Sequence, residues 1–270
     1  MKNSFSTIAS IIVSSTLAVL LVLLLYYTGL IGYSTQTLTG LAVVYLVHVV
    51  YPFSKWTSMS TEVVTSVIWD QRGFDTYFET SVLFLAVVAS LIVLEKAGSS
   101  KTTTGKSSGE LTVIVRVTAK IVALIIAAVS ISVALHGHLT PGGGFQGGSI
   151  FVIAPLVILL AYGTGVLEGR GLTPRRLLGA RTLGVTAIFL IGITPLLYSL
   201  ITGFNAYLFQ NLAKPGSQFS FPALVNTPVG DVLLSGTLIW LNLSEFTAVS
   251  TGFTVAIMYL VERFGRGDEK

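Results

Sequence analysis

Cysteine is absent from the 270 residues of this chain, and charged side chains make up only 10% of them. Without cysteine the chain has no disulfide framework, no thiolate ligands for zinc or iron–sulfur clusters, and no cysteine nucleophile. Soluble domains usually contain about 25% charged residues, whereas 52% of this chain is hydrophobic. So few charges cannot cover a surface that faces water, which excludes a soluble fold.

Charged residues are also missing from three long stretches of the sequence, 3–54, 121–167 and 182–213. Each stretch is long enough for one or two membrane crossings at about 20 residues per helix. The net charge of +4 comes from basic residues in short segments between apolar stretches. That placement indicates membrane orientation rather than nucleic-acid binding.

The apolar stretches predict an all-α integral membrane protein with about seven transmembrane helices. The predicted spans are 8–30, 38–51, 80–94, 111–135, 149–167, 183–201 and a last one that ends near residue 262. We interpret 8–30 as a retained helix, because it is longer than a signal-peptide core and no small-residue cleavage pattern follows it. Pro52 is expected to end the second span and Pro195 to kink the sixth.

A stretch composed almost entirely of Gly, Ser, Thr and Lys separates the third predicted span from the fourth. This composition is typical of a flexible linker. We therefore predict a membrane segment at 1–97, a linker at 98–110 and a second membrane domain at 111–270. The positive-inside rule places the linker and the other basic segments in the cytoplasm. Residues 55–79 are too polar to cross lipid and are expected to form a loop, with a half-buried helix near 62–69.

The most unusual stretch is 136–148, which contains two of the three histidines and six glycines. Gly142, Gly144 and Gly147 formally satisfy the dinucleotide-binding pattern G-x-G-x-x-G. That fingerprint requires a preceding strand and a soluble βαβ unit, whereas both flanks here are predicted membrane helices. We therefore predict a re-entrant or helix-breaking turn, followed by a helix that starts near Gly147.

The three histidines leave their roles open. His136 and His138 are two residues apart and would point to different faces of a regular helix, so a shared metal would need a turn and a third ligand. Structural hydrogen bonding and a place in a proton or ion path both fit them. His48, near the end of the second span, suits either a hydrogen bond between helices or a proton relay.

Three acidic residues lie at the boundaries of predicted spans. Asp75 suits the N-cap of the third helix and Glu79 its first turns, where the helix dipole favours negative charge. An acid at such a boundary can instead face a partner or a water path. Glu245 lies at the outer end of the last span or, if that helix starts nearer Val232, at mid-depth, where a carboxylate is costly unless it is paired or hydrated.

The segment 138–148, His-Leu-Thr-Pro-Gly-Gly-Gly-Phe-Gln-Gly-Gly, resembles the characteristic loop of the B subunit of Mrp-type multisubunit Na⁺/H⁺ antiporters. The resemblance extends over residues 111–262 and four spans. Independently, the segment 62–76, followed by Glu79, is similar to the C-terminal membrane segment of the large antiporter A subunit. The same piece occurs as a small subunit in membrane-bound hydrogenases and sulfane reductases, so the resemblance implies two fused family pieces.

The proton-pumping subunits of these complexes depend on a lysine in a broken helix and on a lysine–glutamate pair. This chain is expected to bury no Lys or Arg within a span, and so it does not resemble the pumping subunits. The resemblance implies an accessory membrane subunit of a Mrp-type cation/proton translocating module, in an antiporter or a complex I-related respiratory complex. A self-sufficient secondary transporter with internal repeats and a purely structural membrane scaffold are the alternatives.

The resemblance further implies no catalysis, no cofactor and no metal site. It implies other membrane subunits and the lipid bilayer as partners, Na⁺ and H⁺ as ions, no nucleic acid, and a multi-pass location in a prokaryotic plasma membrane. The candidates for ion contact are Glu79, Glu245, His138, Asp75, His136 and His48. The candidates for a structural motif are Pro141, Gly142, Gly143, Gly144, Phe145, Gly147, Gly148, Arg72 and Gly73.

Overall fold

The computed structural model describes residues 2–28, 38–50, 54–97, 112–163, 165–228 and 230–264. The chain divides into two compact units, residues 1–43 and residues 44–270. The predicted linker at 98–110 lies outside the described residues, so the domain boundary expected there stays a prediction.

The first unit contains helix α1 (Lys2–Tyr27) and the short helix α2 (Gly40–Val43). Between Ile11 and Tyr27 the side chains of α1 are apolar on all sides and almost all are exposed. A helix that is hydrophobic all round belongs in lipid or in a protein interior. The predicted first helix is therefore present, and residues 29 and 30 of the predicted span lie outside the described residues.

The predicted second span is shorter than expected. Helix α2 runs into a π-helical turn, Val44–His48, and nine helical residues rise only about 14 Å, half of a bilayer core of about 30 Å. One residue after this turn, the carbonyl oxygen of Val49 accepts hydrogen bonds from the backbone N–H (2.9 Å) and the hydroxyl (3.2 Å) of Ser58. Residues 38–51 were predicted to be a second, shorter span; the described part of this stretch is not among the helices long enough to cross a membrane, and the span stays a prediction.

The second unit holds most of the helices. They are α3 (Val63–Thr65), which continues as a π-helical turn (Ser66–Gln71), α4 (Gly73–Ala97), α5 (Val113–Leu135), α6 (Gly144–Phe151), α7 (Ile153–Tyr162), α8 (Gly165–Gly169), α9 (Pro174–Thr202) and α10 (Leu238–Phe264). Five stretches of the described residues are long and apolar enough to cross a membrane: Gly73–Val93, Val113–Leu135, Gly144–Tyr162, Pro174–Thr202 and Leu238–Glu262. The predicted helical membrane fold is confirmed, and the total of seven spans stays a prediction.

Two of these spans begin earlier than the sequence predicted. Helix α4 starts at Gly73, two residues before its predicted N-cap at Asp75 and seven before the predicted core of the span at residue 80. The helical residues 63–71 agree with the half-buried helix predicted near 62–69, so most of the predicted loop 55–79 is helical. The stretch formed by α6 and α7 starts at Gly144, before the helix start predicted near Gly147 and the span predicted from residue 149. Both starts were predicted too late because the prediction relied on hydrophobic side chains, whereas the first turns of these helices are polar or glycine-rich.

The ends of α9 follow ordinary capping rules. The hydroxyl of Thr173 accepts from the backbone N–H of Arg176, and Pro174 occupies the first helical position, where its missing donor costs nothing. Gly203 ends the helix in the left-handed region at φ 74°. Pro195 lies buried inside α9, and the helix continues through it to Thr202.

Helix α10 lies at the centre of the second unit and packs against α4, α5, α6, α7 and α9. It approaches α9 closely at Gly184, where a Cβ atom would lie 2.6 Å from the carbonyl oxygen of Ser244 and 2.9 Å from the backbone nitrogen of Ala248. Small residues allow such backbone approach between membrane helices. Arg181 of α9 lies beside Gly252 of α10, and Gly184, later in α9, lies beside Ser244, earlier in α10. The two helices therefore run antiparallel.

A two-stranded antiparallel hairpin is the exception to the all-helical prediction. Strand β1 (Leu224–Thr227) pairs with β2 (Gly230–Leu233), with Leu224 opposite Leu233. The sequence pattern predicted no strand between the sixth and seventh spans, where this hairpin lies. The hairpin lies between α9 and α10 in the chain, and β2 leads directly to the start of α10.

Replacing Gly184 with Ala should destabilise the second unit by about 1–3 kcal/mol, the usual cost of overpacking, because the new Cβ would press on the backbone of α10. Gly179 is the matched control on the same helix, since a Cβ there meets nothing within 4 Å and alanine adds up to about 1 kcal/mol of helix propensity. Thermal unfolding in mild detergent measures both variants. Equal melting temperatures for the two would contradict the predicted close packing.

Candidate functional site

The glycine-rich loop between α5 and α6 forms the centre of the candidate site. Gly142 and Gly143 have φ angles of 146° and 152°, values that side chains rarely adopt. Helix α6 then begins at Gly144, three residues before the predicted start. The loop therefore turns the chain from the end of one membrane helix into the start of the next.

The other glycines of the loop permit close contact. A Cβ atom on Gly147 would lie 2.7 Å from the carbonyl oxygen of Ser130 in α5, and one on Gly148 would lie 2.8 Å from the Cβ of Val249 in α10. A Cβ on Gly144 would overlap the carbonyl oxygen of Asn242. The short helix α6 is thus wedged between α5 and α10, which explains the repeated glycines physically.

Glu245 caps the amino end of α6 from the side. Its Oε2 atom accepts a hydrogen bond from the backbone N–H of Phe145 at 3.0 Å, and the residue is only 5% exposed. A helix amino terminus carries unpaired N–H groups and a partial positive charge, so it stabilises a carboxylate. Since α10 begins at Leu238, Glu245 lies two turns inside the helix. This position is between the outer end of the span and its mid-depth, the two alternatives that the sequence left open.

Asn242 lies one turn before Glu245 on the same face of α10. Its Oδ1 atom accepts a hydrogen bond from the indole Nε1 of Trp69 at 2.9 Å, and both side chains are fully buried. Sequence analysis did not identify Asn242. A lone Asn in an apolar helix is a sequence signal for hydrogen bonding between helices, and it could have been used.

The two motifs singled out in the sequence meet in the structure. The hydroxyl of Thr65 donates to the carbonyl oxygen of Gly137 at 2.6 Å, that of Ser60 to His138 at 2.6 Å, and that of Thr61 to Leu139 at 2.7 Å. The partners are more than 70 residues apart in the chain. These contacts satisfy the carbonyl groups that the break between α5 and α6 leaves without helical donors.

The two neighbouring histidines have different environments. His138 is buried, and its Nε2 atom lies 2.8 Å from the carbonyl oxygen of Leu233. Burial lowers the pKa of His138 below its ordinary value of 6.5, and the hydrogen bond to Leu233 opposes this. His136 ends α5 at an exposed position, with Nδ1 2.9 Å from the carbonyl oxygen of Ser132. The two histidines thus bond different carbonyl groups, His138 that of Leu233 and His136 that of Ser132.

No group of three or more His, Asp or Glu side chains among the described residues is arranged to hold a metal ion. His48 is exposed at the end of its π-helical turn, where its backbone carbonyl accepts from the hydroxyl of Ser54. None of the described contacts links His48 to the glycine-rich loop.

The acidic residues of α4 lie near its start. Asp75 occupies the first turn of α4 rather than the predicted N-cap, and it forms an exposed ion pair with Arg72 at 2.7 Å. The hydrogen bond from Arg72 to Asp75 raises the pKa of the Arg72 guanidinium. One turn later, Glu79 is exposed on α4, a helix that packs against α10.

A buried ion pair that the sequence did not reveal lies beside this site. Lys214 donates from Nζ to Asp70 Oδ2 at 2.6 Å and to the carbonyl oxygen of Thr57 at 2.9 Å. Burial raises the pKa of Asp70, and the Lys214 ammonium opposes the shift. The partners are 144 residues apart in the chain, so local sequence patterns could not pair them.

Arg181 corrects the expectation that no Lys or Arg is buried within a span. It lies two turns inside α9 and is 2% exposed. Its Nη2 atom donates to the carbonyl oxygen of Leu83 in α4 at 2.9 Å, and its guanidinium lies 4.8 Å from the centre of the Phe84 ring. Sequence analysis had assigned it to a cytoplasmic basic segment.

These helices and the glycine-rich break define a multi-pass helical membrane protein. Residues 114–255 match the family described as a domain related to the MnhB subunit of Na⁺/H⁺ antiporter, and the chain belongs to that family. The resemblance drawn from the loop sequence is therefore confirmed for this part of the chain. The family is that of an antiporter subunit, which supports a subunit of a cation/proton translocating module.

Other known proteins are similar over most of the chain. The uncharacterized protein MJ1307 of Methanocaldococcus jannaschii is 28% identical over 261 residues, which cover 87% of this chain and 89% of that protein. A chain in the structure of the Mrp complex from Dietzia sp. DQ12-45-1b matches with a TM-score of 0.63 and 18% identity, over 93% of this chain and 26% of that one. This chain therefore spans about a quarter of that Mrp chain.

A chain of the membrane-bound sulfane sulfur reductase, an archaeal respiratory membrane complex, matches with a TM-score of 0.64 and 24% identity. The match covers 92% of this chain and 98% of that one. Both matched structures are multisubunit membrane complexes. At these identities the likeness establishes the fold.

The lowered pKa of His138 makes stability depend on pH. The folded state favours neutral His138, so its contribution to stability is complete above the ordinary pKa of 6.5 and is lost as the pH falls below that value. The melting temperature of the purified protein should therefore fall between about pH 7.5 and about pH 5.5. His138→Gln should flatten this decrease, whereas His48→Gln, at an exposed position without a described contact to the glycine-rich loop, should leave it unchanged. An identical pH dependence in all three proteins would refute the role of His138.

Proposed function

We propose that this protein is an accessory membrane subunit of a Mrp-type cation/proton translocating module in a prokaryotic plasma membrane. Family membership over residues 114–255 supports this proposal. The observation that carries it is the buried carboxylate of Glu245 at the amino end of α6, with a second carboxylate, Glu79, on the neighbouring helix α4. Ionisable groups within membrane spans are rare and mark ion or proton pathways by default.

The two carboxylates lie at similar depth. Glu79 is six residues from the start of α4 and Glu245 is seven from the start of α10, distances of about 9 and about 10 Å along the helices. Both helices run antiparallel to α9, so they start at the same end of the bundle. Two carboxylates in a medium of low dielectric repel each other, and a proton or Na⁺ between them relieves the repulsion.

The environment of Glu245 suits reversible binding of a cation. Oε2 is held by the N–H of Phe145, and none of the described residues donates a hydrogen bond to Oε1. Carboxylate oxygen is a hard ligand that suits Na⁺, and it also accepts a proton. Glu79, exposed on the membrane helix α4, is the carboxylate that a neighbouring subunit or a hydrated path would face.

We further propose that 1–97 and 111–270 correspond to two family pieces, an antiporter A-subunit end and a B-subunit domain. The hydroxyl contacts from Ser60, Thr61 and Thr65 to the glycine-rich loop support this, because they seat the first piece on the second. On this proposal the subunit catalyses no covalent reaction and binds no cofactor. Its partners are the other membrane subunits of the same complex.

Replacing Glu245 or Glu79 with Gln should lower Na⁺-dependent transport by the assembled complex at least about tenfold, the effect of 1.4 kcal/mol of lost cation binding. Gln keeps the size of the side chain and removes its charge. Asp75→Asn is the matched control, because Asp75 lies at the exposed start of α4 and pairs with Arg72. Transport is measured by ²²Na⁺ uptake into proteoliposomes, with assembly checked by co-purification.

The scaffold alternative makes the opposite prediction for the same variants. If both Gln variants assemble and transport Na⁺ at the wild-type rate, the subunit has a structural role and these carboxylates do not contact the ion. A self-sufficient transporter would exchange Na⁺ for H⁺ when the single chain is reconstituted alone.

A further inference from the structure

Arg181 carries a positive charge inside the membrane bundle, and no described residue forms an ion pair with it. Its Nη2 atom is bonded to the carbonyl oxygen of Leu83, while Nε and Nη1 are buried and have no acceptor among the described residues. The ion pairs of those residues are Arg72 with Asp75 and Lys214 with Asp70. Arginine keeps its proton in proteins, so the guanidinium is an uncompensated buried cation.

The fold makes room for this guanidinium where α4, α9 and α10 meet. Gly252 of α10 lies directly against Nη1, and a Cβ atom at that position would overlap it. The ring of Phe84 in α4 lies 4.8 Å from the guanidinium carbon. Three helices therefore fix the position of the guanidinium. The carbonyl of Leu83 accepts its hydrogen bond, the ring of Phe84 lies beside it, and Gly252 has no side chain that would occupy its place.

The two carboxylates of the proposed ion site lie on the same helix faces as the groups of α4 and α10 that contact Arg181. Glu79 and Leu83 are four residues apart on α4, and Glu245 and Gly252 are seven apart on α10, so each pair lies on one face of its helix. The separations along the axes are about 6 and about 10 Å. Arg181 thus lies deeper in the bundle than the carboxylates, toward the end where α9 begins beside the basic residues Arg175 and Arg176.

We propose that Arg181 is an electrostatic barrier to cations, which closes the seam between α4, α9 and α10 beyond Glu79 and Glu245. A cation that reaches the carboxylates from the glycine-loop end is stopped by the fixed guanidinium and cannot continue through this subunit to the basic end. This role rests on the proposed function, because it presupposes that the carboxylates contact the ion. It makes the site accessible from one end only.

The physical basis is the strength of charge interactions in a dry seam. A fixed positive charge surrounded by apolar side chains is screened weakly, so a second cation is repelled over several ångströms. An arginine that lines a pore excludes cations and protons in the same way. Val87 in α4 and Val249 and Val255 in α10 are buried, and the hydroxyl of Thr254 near Gly252 is bonded to the backbone of its own helix.

Passive ²²Na⁺ flux through the complex, reconstituted without its driving reaction, tests the barrier. Arg181→Gln should raise this flux at least about tenfold, which corresponds to 1.4 kcal/mol of lost barrier, whereas Arg181→Lys should keep it near the wild-type value. Arg176→Gln is the matched control, since Arg176 is exposed on the same helix and donates to the carbonyl oxygen of Gly171. Wild-type flux in an assembled Arg181→Gln complex would overturn the proposal.

The double variant Arg181→Gln with Glu245→Gln identifies the route. If the Na⁺ flux of the double variant returns toward the wild-type value, the leak passes the carboxylates and the barrier proposal is supported. If the flux stays high, the leak lies elsewhere and the barrier proposal is overturned. If Arg181→Gln does not assemble, Gly252→Ala replaces it, because the added methyl group displaces the guanidinium and keeps its charge. A raised flux in that variant supports the barrier and an unchanged flux overturns it.

The two proposals fail in different experiments. The proposed function fails when Glu245→Gln leaves driven Na⁺ transport intact. The barrier fails when the passive flux of the Arg181 and Gly252 variants is unchanged, even where driven transport depends on Glu245.

Discussion

The hydrogen bond from the backbone N–H of Phe145 to the carboxylate of Glu245 is the interaction on which the rest of this structure depends. It joins the amino end of a broken helix to a buried acid on α10. The approach requires glycine at 144, since any side chain there would collide with Asn242 and Glu245. The carboxylate in turn lies in a bundle interior where only the helix end and nearby polar groups stabilise its charge. The glycine-rich loop and the acid therefore form one unit, although the sequence separates them by about 100 residues.

The buried charges of the second unit are handled in different ways, and Glu62 caps α3 by accepting a hydrogen bond from the backbone N–H of Thr65. Asp70 and Lys214 neutralise each other outside the membrane spans. Glu245 relies on a helix amino terminus, and Arg181 has one carbonyl acceptor and an aromatic ring. Moving a charge out of water costs free energy, so a buried charge without an ionic partner is expected to have a structural or functional role. The paired charges thus belong to the architecture, and Glu245 and Arg181 are the ones to which we assign roles in cation movement.

Sequence alone predicted the helical membrane fold, five of the long spans and the helix break at the glycine-rich loop, because these depend on local hydrophobicity and backbone freedom. The loop also indicated the family. The hairpin at 224–233, the pairing of Asp70 with Lys214, and the roles of Asn242 and Arg181 were missed. Most of these features depend on partners far away in the chain. Arg181 was missed because α9 begins at Pro174, before the apolar stretch 183–201 that was predicted as the span. The contact between the 60–65 segment and residues 137–139 was also unforeseen, since both had been assigned to loops.

The central claim is that this chain works as one subunit of a larger membrane complex. The most direct measurement is native electrophoresis of the tagged protein purified from its own membranes in mild detergent, with mass spectrometry of the chains that migrate with it. The account predicts a band well above the 28.7 kDa of the single chain, containing other multi-pass membrane subunits in fixed proportion. A single, monodisperse chain that exchanges Na⁺ for H⁺ when reconstituted alone would contradict it.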